Sequence, residues 1–317
     1  MATAAPLRHA RPRRSDQPGR QNADGLSPYA QCPSGSPEKC RFAENPQIAL
    51  PVPELGGATV RVHRCAACGL GVTRPAMPDV SPLYEGRNSE DFQQRDSGFA
   101  MRVKEIAFRQ MVRRLLGNLP RVPRRVVDYG CGNGVLTAAF ASELPGANVV
   151  GLDFFATAPS GIAPAAYRSF AKAAPLRGKA DLLLCFHALE HDDDPHAFLR
   201  NLMGYVAPGG VMVIEAPNVD CVWTPWFGAA CNNWYLPYHR LHFSRQSLRA
   251  LMETNGLKVL REEDVCSATI AMSLSRWLGV RYNALFFLAG CAFRPIQFLA
   301  ERFTRRPSAL RIIVERR

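Results

Sequence analysis

The sequence predicts an α/β fold: a doubly wound, seven-stranded sheet with a small N-terminal cysteine-containing module. Three observations carry that prediction. An apolar run containing Val126 and Val127 stops in Gly130-Cys131-Gly132-Asn133-Gly134, a helical pattern follows, and a second apolar run closes on Asp153. Strand and helix periodicities then alternate towards the C-terminus, the pattern of parallel strands joined by right-handed crossovers. Upstream, Cys65 and Cys68 bracket two alanines with Gly69 directly after them, a different kind of sequence altogether.

Taken in order, residues 1–28 read as a basic tail, 29–75 as a zinc-ribbon-like module, 76–123 as a connector and leading helix, and 124–317 as the large domain with a helical insertion at 266–305. Ile106, Phe108, Met111, Val112, Leu115 and Leu116 recur at helical spacing and define the leading helix. Strands are expected near 125–129, 148–153, 166–170, 181–186, 211–216, 257–262 and 309–314, and helices near 135–144, 195–206 and 245–255. Asp194 is placed to cap the second of those helices with Pro195 at its first position, and His196 is expected on its solvated face. In the insertion, Tyr282 to Phe293 is strongly apolar, but Arg294-Pro295 is expected to end the run after about a dozen residues, short of a membrane span. Arg276, Arg281, Arg294, Arg302, Arg305 and Arg306 flank its apolar stretches. Helices that cover the sheet or pair in a dimer, a substrate lid, and a segment lying in a membrane interface all remain open.

The glycine loop with Asp153 reads as a nucleotide-binding βαβ unit. Glycines allow the tight turn and a close backbone approach, and the acid about 20 positions on accepts hydrogen bonds from ribose hydroxyls. Cys131 reads as a spacer whose backbone matters more than its sulfur.

Asp128, two residues before Gly130, makes the loop resemble motif I of the class I S-adenosylmethionine-dependent methyltransferases. Asp181 to Phe186, Ala207 to Gly210 and Val211 to Asn218 are similar to later segments of that family, and Tyr238 to Ser244 with Asn255-Gly256-Leu257 resembles its bacterial small-molecule O- and C-methyltransferase branch. The likeness covers about residues 100 to 265. It implies a Rossmann-like methyltransferase sheet whose last strand inserts antiparallel, and S-adenosylmethionine as cofactor. It assigns Asp128, Gly130, Cys131, Gly132 and Gly134 to the methionine and ribose end, Asp153 to the ribose hydroxyls and Phe154 to the neighbourhood of the adenine. The branch often begins with a four-cysteine ribbon, which here would join Cys65 and Cys68 to Cys32 and Cys40. Seven residues separate that upstream pair where two to four are usual, so a structural zinc, a metal-free remnant and a redox role stay open.

Chemistry in an open α/β sheet sits beyond the carboxyl ends of the strands. Two clusters are placed there. His187, Glu190 and His191 follow the fourth strand and share a face if that turn is helical. In the ubiquinone-type O-methyltransferases, which this segment resembles, a glutamate occupies the position of His187 and helps bind a divalent cation. A cation site, a general base and a structural role are the alternatives here. The second cluster joins His239 and His242 to Tyr238, Phe243, Trp223, Trp226 and Trp234 as an expected aromatic substrate pocket. Glu215 is a further candidate base.

The formal charge of +12 is concentrated at the ends. Residues 1–28 hold five arginines against two aspartates, and residues 294–317 hold seven arginines against two glutamates, leaving +4 for the whole centre. That distribution disfavours a broad basic face for nucleic acid, and the Asn/Asp-Pro-Pro-Tyr/Phe motif of amino-directed nucleic-acid enzymes is missing. The reading is methyl transfer to a small molecule, glycosyl- or lipid-linked compounds included. The alternatives are an RNA or protein methyltransferase and a non-catalytic cofactor-binding regulator. Scattered cysteines in apolar segments imply a reducing, cytoplasmic setting, with peripheral contact at the inner face of the membrane as a variant. Oligomeric state is not specified.

Overall fold

A computed structural model describes residues 32–33, 42–52, 55–77, 83 and 98–316. The tail at 1–28, Cys40 and most of the connector before residue 98 lie outside them. The first elements are β1 (Ile48–Val52), β2 (Ala58–Arg64) and β3 (Gly71–Arg74). Helix α1 (Gly98–Gly117) leads into β4 (Arg125–Tyr129), α2 (Val135–Glu143), β5 (Asn148–Asp153), β6 (Tyr167–Ser169) and β7 (Ala180–Phe186). There follow α3 (Pro195–Met203), β8 (Val206–Pro217), α4 (Thr224–Phe227), β9 (Leu241–His242), α5 (Arg245–Thr254) and β10 (Lys258–Val265), then α6 (Thr269–Trp277), α7 (Ala284–Thr304) and β11 (Ala309–Glu315).

Seven strands form the main sheet in the order β10-β11-β8-β7-β4-β5-β6. β4 to β8 pair in parallel, and β11 runs antiparallel to both β8 and β10. Strand periodicity explains how both faces are covered. Val126, Leu182, Leu184, Val211, Val213 and Ile313 face α1 and α2, while Val127, Leu183, Cys185, Met212, Ile214 and Ile312 face α3 and α5. Each fully buried aliphatic side chain contributes roughly 1.5–3 kcal/mol, and truncating the buried Phe140 of α2 would cost about 3–5 kcal/mol.

The order reverses at β4, whose neighbours are β5 and β7. Loops after these strands therefore diverge above a crevice, the place where such sheets bind ligands.

Strands β1, β2 and β3 make a second, antiparallel sheet whose fourth strand is β9. The cysteine-bearing segment is thus sewn into the large domain. Cys32, Cys65, Cys68, Leu70 and Val72 belong to the same buried cluster as Leu248 and Leu251 of α5.

Four expectations need correction. β8 starts at Val206, so Ala207 to Gly210, which the family likeness makes the turn into the fifth strand, is part of that strand. Its backbone is held by Gly209 N–H donating to Arg316 O and Arg316 N–H to Gly210 O, each at 3.0 Å. His196 is buried, because Asn255 at the end of α5 covers it and donates to its Nδ1 at 2.9 Å. Pro295 does not end the insertion helix: α7 runs 21 residues through it. An interior proline costs about 3 kcal/mol, and past it Gln297 bonded to Ser267 O and Glu301 bonded to Trp223 anchor the helix to the domain. Lastly, the three tryptophans do not gather into one pocket. Trp226 is exposed, Trp223 donates to Glu301 on α7, and Trp234 packs under the small sheet with Ile48 and Val62. The cap on α3 is as expected, with Asp194 accepting from Ala197 N–H at 2.9 Å.

Candidate active site

The loop after β4 is shaped by its glycines. Gly130 has φ +75°, and a Cβ there would meet Ala188 at 2.9 Å; Gly134 has φ +79°, and a Cβ there would meet Ile162 at 2.0 Å. No other residue fits the second position without moving the segment that closes over the loop. Asp153, at the end of β5, accepts from Gly132 N–H at 2.8 Å and from Phe154 N–H at 2.7 Å. Asp128 accepts from Thr137 Oγ1 at 2.6 Å.

Burial pushes Asp128 up to about 7, with Asp153 adding and Thr137 opposing; burial likewise pushes Asp153 up to about 6 against its two backbone donors. Two buried carboxylates thus stand at the carboxyl ends of β4 and β5, and among the described residues no basic side chain bonds to them. A ligand that brings a positive centre beside a ribose satisfies both, so this half fits S-adenosylmethionine. Cys131 turns its sulfur inward, packing with Ile162 and Tyr167, which leaves only its backbone for a ligand. Phe154 is 39% exposed, its ring centroid 4.0 Å from that of Phe155.

The other half is assembled from the loop after β7 and the segment before β9. Glu190 is fully buried, and among the described residues its carboxylate is held by ion pairing with histidine and not by a well-formed hydrogen bond. Its Oε1 lies 3.4 Å from His187 Nδ1 and 3.7 Å from His239 Nε2. His239 approaches Asn233 O through Nδ1 at 3.1 Å. A carbonyl only accepts, so Nδ1 carries the proton and the neutral ring presents a bare Nε2 towards Glu190. Burial, with His191 and His242 adding, holds His239 well below the usual histidine range. Burial also lowers His191, whose ring stands edge-on 5.0 Å from that of His239.

His187 plays the opposite part. Its backbone is left-handed, φ 53°, a conformation that costs a non-glycine residue of order 1 kcal/mol. This turn sets its ring between two acids, with Nε2 3.1 Å from Glu215 Oε1. Burial opposes the charge, and Glu190 and Glu215 overcome it, raising His187 to about 10. Glu215 is in turn gripped by Arg311 at 2.9 and 2.6 Å. Despite its burial, His187 and Arg311 hold its pKa below the usual carboxylate value, so it is a committed anion.

His242 sits behind the site. It pairs through β9 with the small sheet, and its Nε2 donates at 2.9 Å to Thr73 Oγ1, which itself donates to His239 O at 2.9 Å. Burial, with Arg240 and Arg64 adding, drives it down to about 3. The structure therefore brings together Glu190, His191, His239 and His187, and sets His242 in the support. Tyr235 and Tyr238 stack at 5.0 Å beside His239.

Three supporting residues escaped the sequence reading. Arg240 is completely buried and reaches Asp193 at 3.3 Å and the carbonyls of Thr73 and Pro75, while its own N–H donates to Glu190 O at 2.7 Å. Asp193 reads locally as part of an acidic cap but bonds Met77 N–H at 2.7 Å. Arg311 had a legible signal: an arginine inside the apolar strand Ala309–Glu315 needs a buried acid.

The cysteines also converge. Cys32 Sγ lies 3.1 Å from Cys68 Sγ and 3.5 Å from Cys65 Sγ, and all three are buried.

The strand order, the glycine loop and Asp153 at the carboxyl edge define the class I methyltransferase fold. The chain belongs to the methyltransferase-domain family, whose model matches residues 103–262. It is similar to a trans-aconitate 2-methyltransferase of Methylobacterium radiotolerans, 36% identical over 114 residues that make up 33% of this chain and 42% of that protein. It also matches a ubiquinone biosynthesis O-methyltransferase of Pseudomonas aeruginosa, 34% identical over 108 residues, 30% of this chain and 45% of that one. The chain spans less than half the length of either relative. Among solved structures, an S-adenosylmethionine-dependent methyltransferase from Archaeoglobus fulgidus aligns with a TM-score of 0.46 at 19% identity, covering 70% of this chain and 100% of that one.

Proposed function

We propose that this protein transfers a methyl group from S-adenosylmethionine to a hydroxyl or other acidic group of a small molecule. The observation that carries the reading is the approach of two buried proton acceptors, Glu190 Oε1 and His239 Nε2, to 3.7 Å of one another, on a turn whose Ala188 lies against Gly130 of the glycine loop. S-adenosylmethionine supplies an electrophilic methyl when bound. The chain's own residues then do three things. Asp153 and the loop amides hold the ribose, with Asp128 beside the positive end. His239, unprotonated at neutral pH, and Glu190 receive the acceptor's proton as it attacks. The charged run Arg311, Glu215, His187 fixes Glu190 in place, so that the base is oriented before substrate arrives. Tyr235 and Tyr238 offer aromatic surface for the acceptor.

A cation is the second reading that one observation favours: ligand atoms of Glu190, His191 and His239 lie within 4.8 Å of one another. This set replaces the earlier candidate His187 by His239, since His187 is held by Glu215. The support for methyl transfer is family membership and relatives named as methyltransferases; the acceptor is our inference from the two buried proton acceptors. Isothermal calorimetry with S-adenosylmethionine and NAD tests the cofactor, and NAD binding alone overturns it. Release of S-adenosylhomocysteine across a panel of phenols, carboxylic acids and glycosides tests the acceptor. Turnover that is lost on chelation and restored by a divalent cation selects the second reading.

We further propose a structural zinc at Cys32, Cys65 and Cys68. Sulfurs 2.3 Å from one tetrahedral ion stand about 3.8 Å apart, against 3.1 and 3.5 Å here, so the three thiols would open slightly to take the ion. Cys40, the expected fourth ligand, lies outside the described residues. Elemental analysis should find about one zinc per chain, falling to a trace in Cys65→Ser, Cys68→Ser; folded wild-type protein without zinc overturns the assignment.

A further inference from the structure

The hairpin of α6 and α7 is built with its polarity reversed. Beside the apolar Ala271 and Phe286, the side chains it turns towards the domain are polar: Thr269, Ser273 and Ser275 on α6, and Gln297 and Glu301 on α7, are all buried. They are fully used. Gln297 donates to Ser267 O and to Glu301 Oε1, both at 2.6 Å, Trp223 Nε1 donates to the same oxygen at 2.9 Å, and Ser308 N–H and Oγ donate to Glu301 Oε2 at 2.9 and 3.0 Å.

The outward face is apolar. Leu285, Leu288, Ile296, Leu299 and Phe303 follow one stripe of α7 by helical spacing, and they are 72, 55, 58, 50 and 82% exposed. Trp277 and Trp226 are exposed at 63 and 79%. By length and composition α7 is apolar enough to cross a bilayer, with a mean hydropathy of 1.3 over its most apolar stretch. A water-facing helix has the opposite arrangement, and a contiguous apolar face of this kind marks an interaction surface.

Charge identifies what covers it. Residues 266–306 contain six arginines and a single acidic residue, Glu301, which is buried. Arg281 is exposed before the start of α7, and Arg302 and Arg305 are exposed at its end. A second copy laid across this face would set arginine ends against each other with no exposed acid in the segment to pair them. An anionic surface meets both ends.

We propose that the outer face of α7 docks on an anionic phospholipid bilayer, the helix lying flat at the boundary between headgroups and acyl chains, with Arg281, Arg302 and Arg305 among the headgroups. It does not span, because its inner face is bonded to the domain through Gln297 and Glu301. The hairpin also holds the loop of the acceptor half: Asn232 N–H donates to Ser273 Oγ at 2.9 Å, Thr269 Oγ1 to Asn233 Oδ1 at 3.2 Å, and the Arg276 guanidinium stands 4.6 Å over the Tyr235 ring. Docking therefore brings the loop carrying Tyr235 and His239 towards the lipid. The inference does not rest on methyl transfer.

The test is co-sedimentation of the full chain with phosphatidylcholine vesicles, with and without phosphatidylglycerol, across a salt series. Binding is expected to the phosphatidylglycerol vesicles and to weaken as salt rises. Arg281→Gln, Arg302→Gln, Arg305→Gln together should weaken it on the order of 100-fold. Replacing Leu285, Leu288, Ile296, Leu299 and Phe303 by glutamine should abolish it while circular dichroism and S-adenosylmethionine affinity stay unchanged. If that variant does not fold, the arginine variant decides. Wild-type protein that stays in the supernatant with both vesicles overturns the proposal, as does a dimer, seen by ultracentrifugation, that forms in place of vesicle binding and is lost in the glutamine variant.

Discussion

The proposed cofactor half of the site lies within one stretch of chain, Asp128 to Asp153, and is made largely of backbone: glycines at positive φ and amide groups that bond Asp153. The proposed acceptor half draws Glu190, Glu215, His239 and Arg311 from four separate elements and is made of side chains that charge one another. The difference teaches where each kind of change will be felt. A backbone cradle tolerates the loss of one side chain with a loss of affinity, because the rest still binds. A buried run of charged side chains has a member, Glu190, that is both paired with His187 and adjacent to His239, so its removal disturbs every partner at once.

The largest effect therefore belongs to Glu190. Glu190→Gln keeps the shape and removes the acceptor, so turnover on the best acceptor of the panel should fall on the order of 100- to 10,000-fold, with S-adenosylmethionine affinity by calorimetry unchanged. A parallel loss of cofactor affinity would erase the division between the halves. His239→Gln should resemble it in rate, whereas His242→Gln should lower the melting temperature and leave the rate of the folded fraction near wild type, since His242 bonds Thr73 and not Glu190.

Next in size is Asp153. Asp153→Ala should weaken S-adenosylmethionine binding by about 1.5–3 kcal/mol, the range for hydrogen bonds to a charged group, with no comparable fall in turnover at saturation. Because burial raises Asp128 to about 7 and Asp153 to about 6, binding of the positive cofactor should strengthen as pH rises through that range. Affinity that is flat from pH 5 to 8, values spanning the region where such shifted acids titrate, would mean the carboxylates do not face the ligand.

The same contrast explains what was legible in the sequence. Asp128, the glycines and Asp153 are spaced by local geometry, a strand, a turn and a helix, and local spacing is what a sequence displays. The strands from 125 to 314 were legible for the same reason, being apolar runs punctuated by glycine and proline. His239 and Glu190 are 49 residues apart in the chain, and their meeting depends on β9 joining the small sheet, a pairing of two residues with no pattern of its own. His196 misled because polarity suggests solvent, yet burial was decided by Asn255 on another helix. Pro295 misled because its cost is local while bonds that hold the helix past it, Gln297 to Ser267 O and Trp223 to Glu301, are tertiary.

The smallest expected effect concerns His187, and it sharpens the acceptor half from within. Burial works against its charge, but Glu190 and Glu215 hold it protonated with a pKa of about 10, above the ordinary 6.5. A group whose folded value is raised stabilises the fold fully below its unfolded value; that contribution declines as pH rises from 6.5 and is gone above about 10. Since 43% of the side chain is exposed, water screens the pair and the change in melting temperature across this window should be small. The imidazole chemical shift is the sharper measurement. Followed by NMR and assigned with His187→Gln, it should stay in the protonated form at pH 8, while that of His239 stays neutral where an ordinary histidine titrates. If His187 instead titrates near 6.5, the run from Arg311 through Glu215 does not fix the charge on it, and His187 becomes a base available to the acceptor in place of His239.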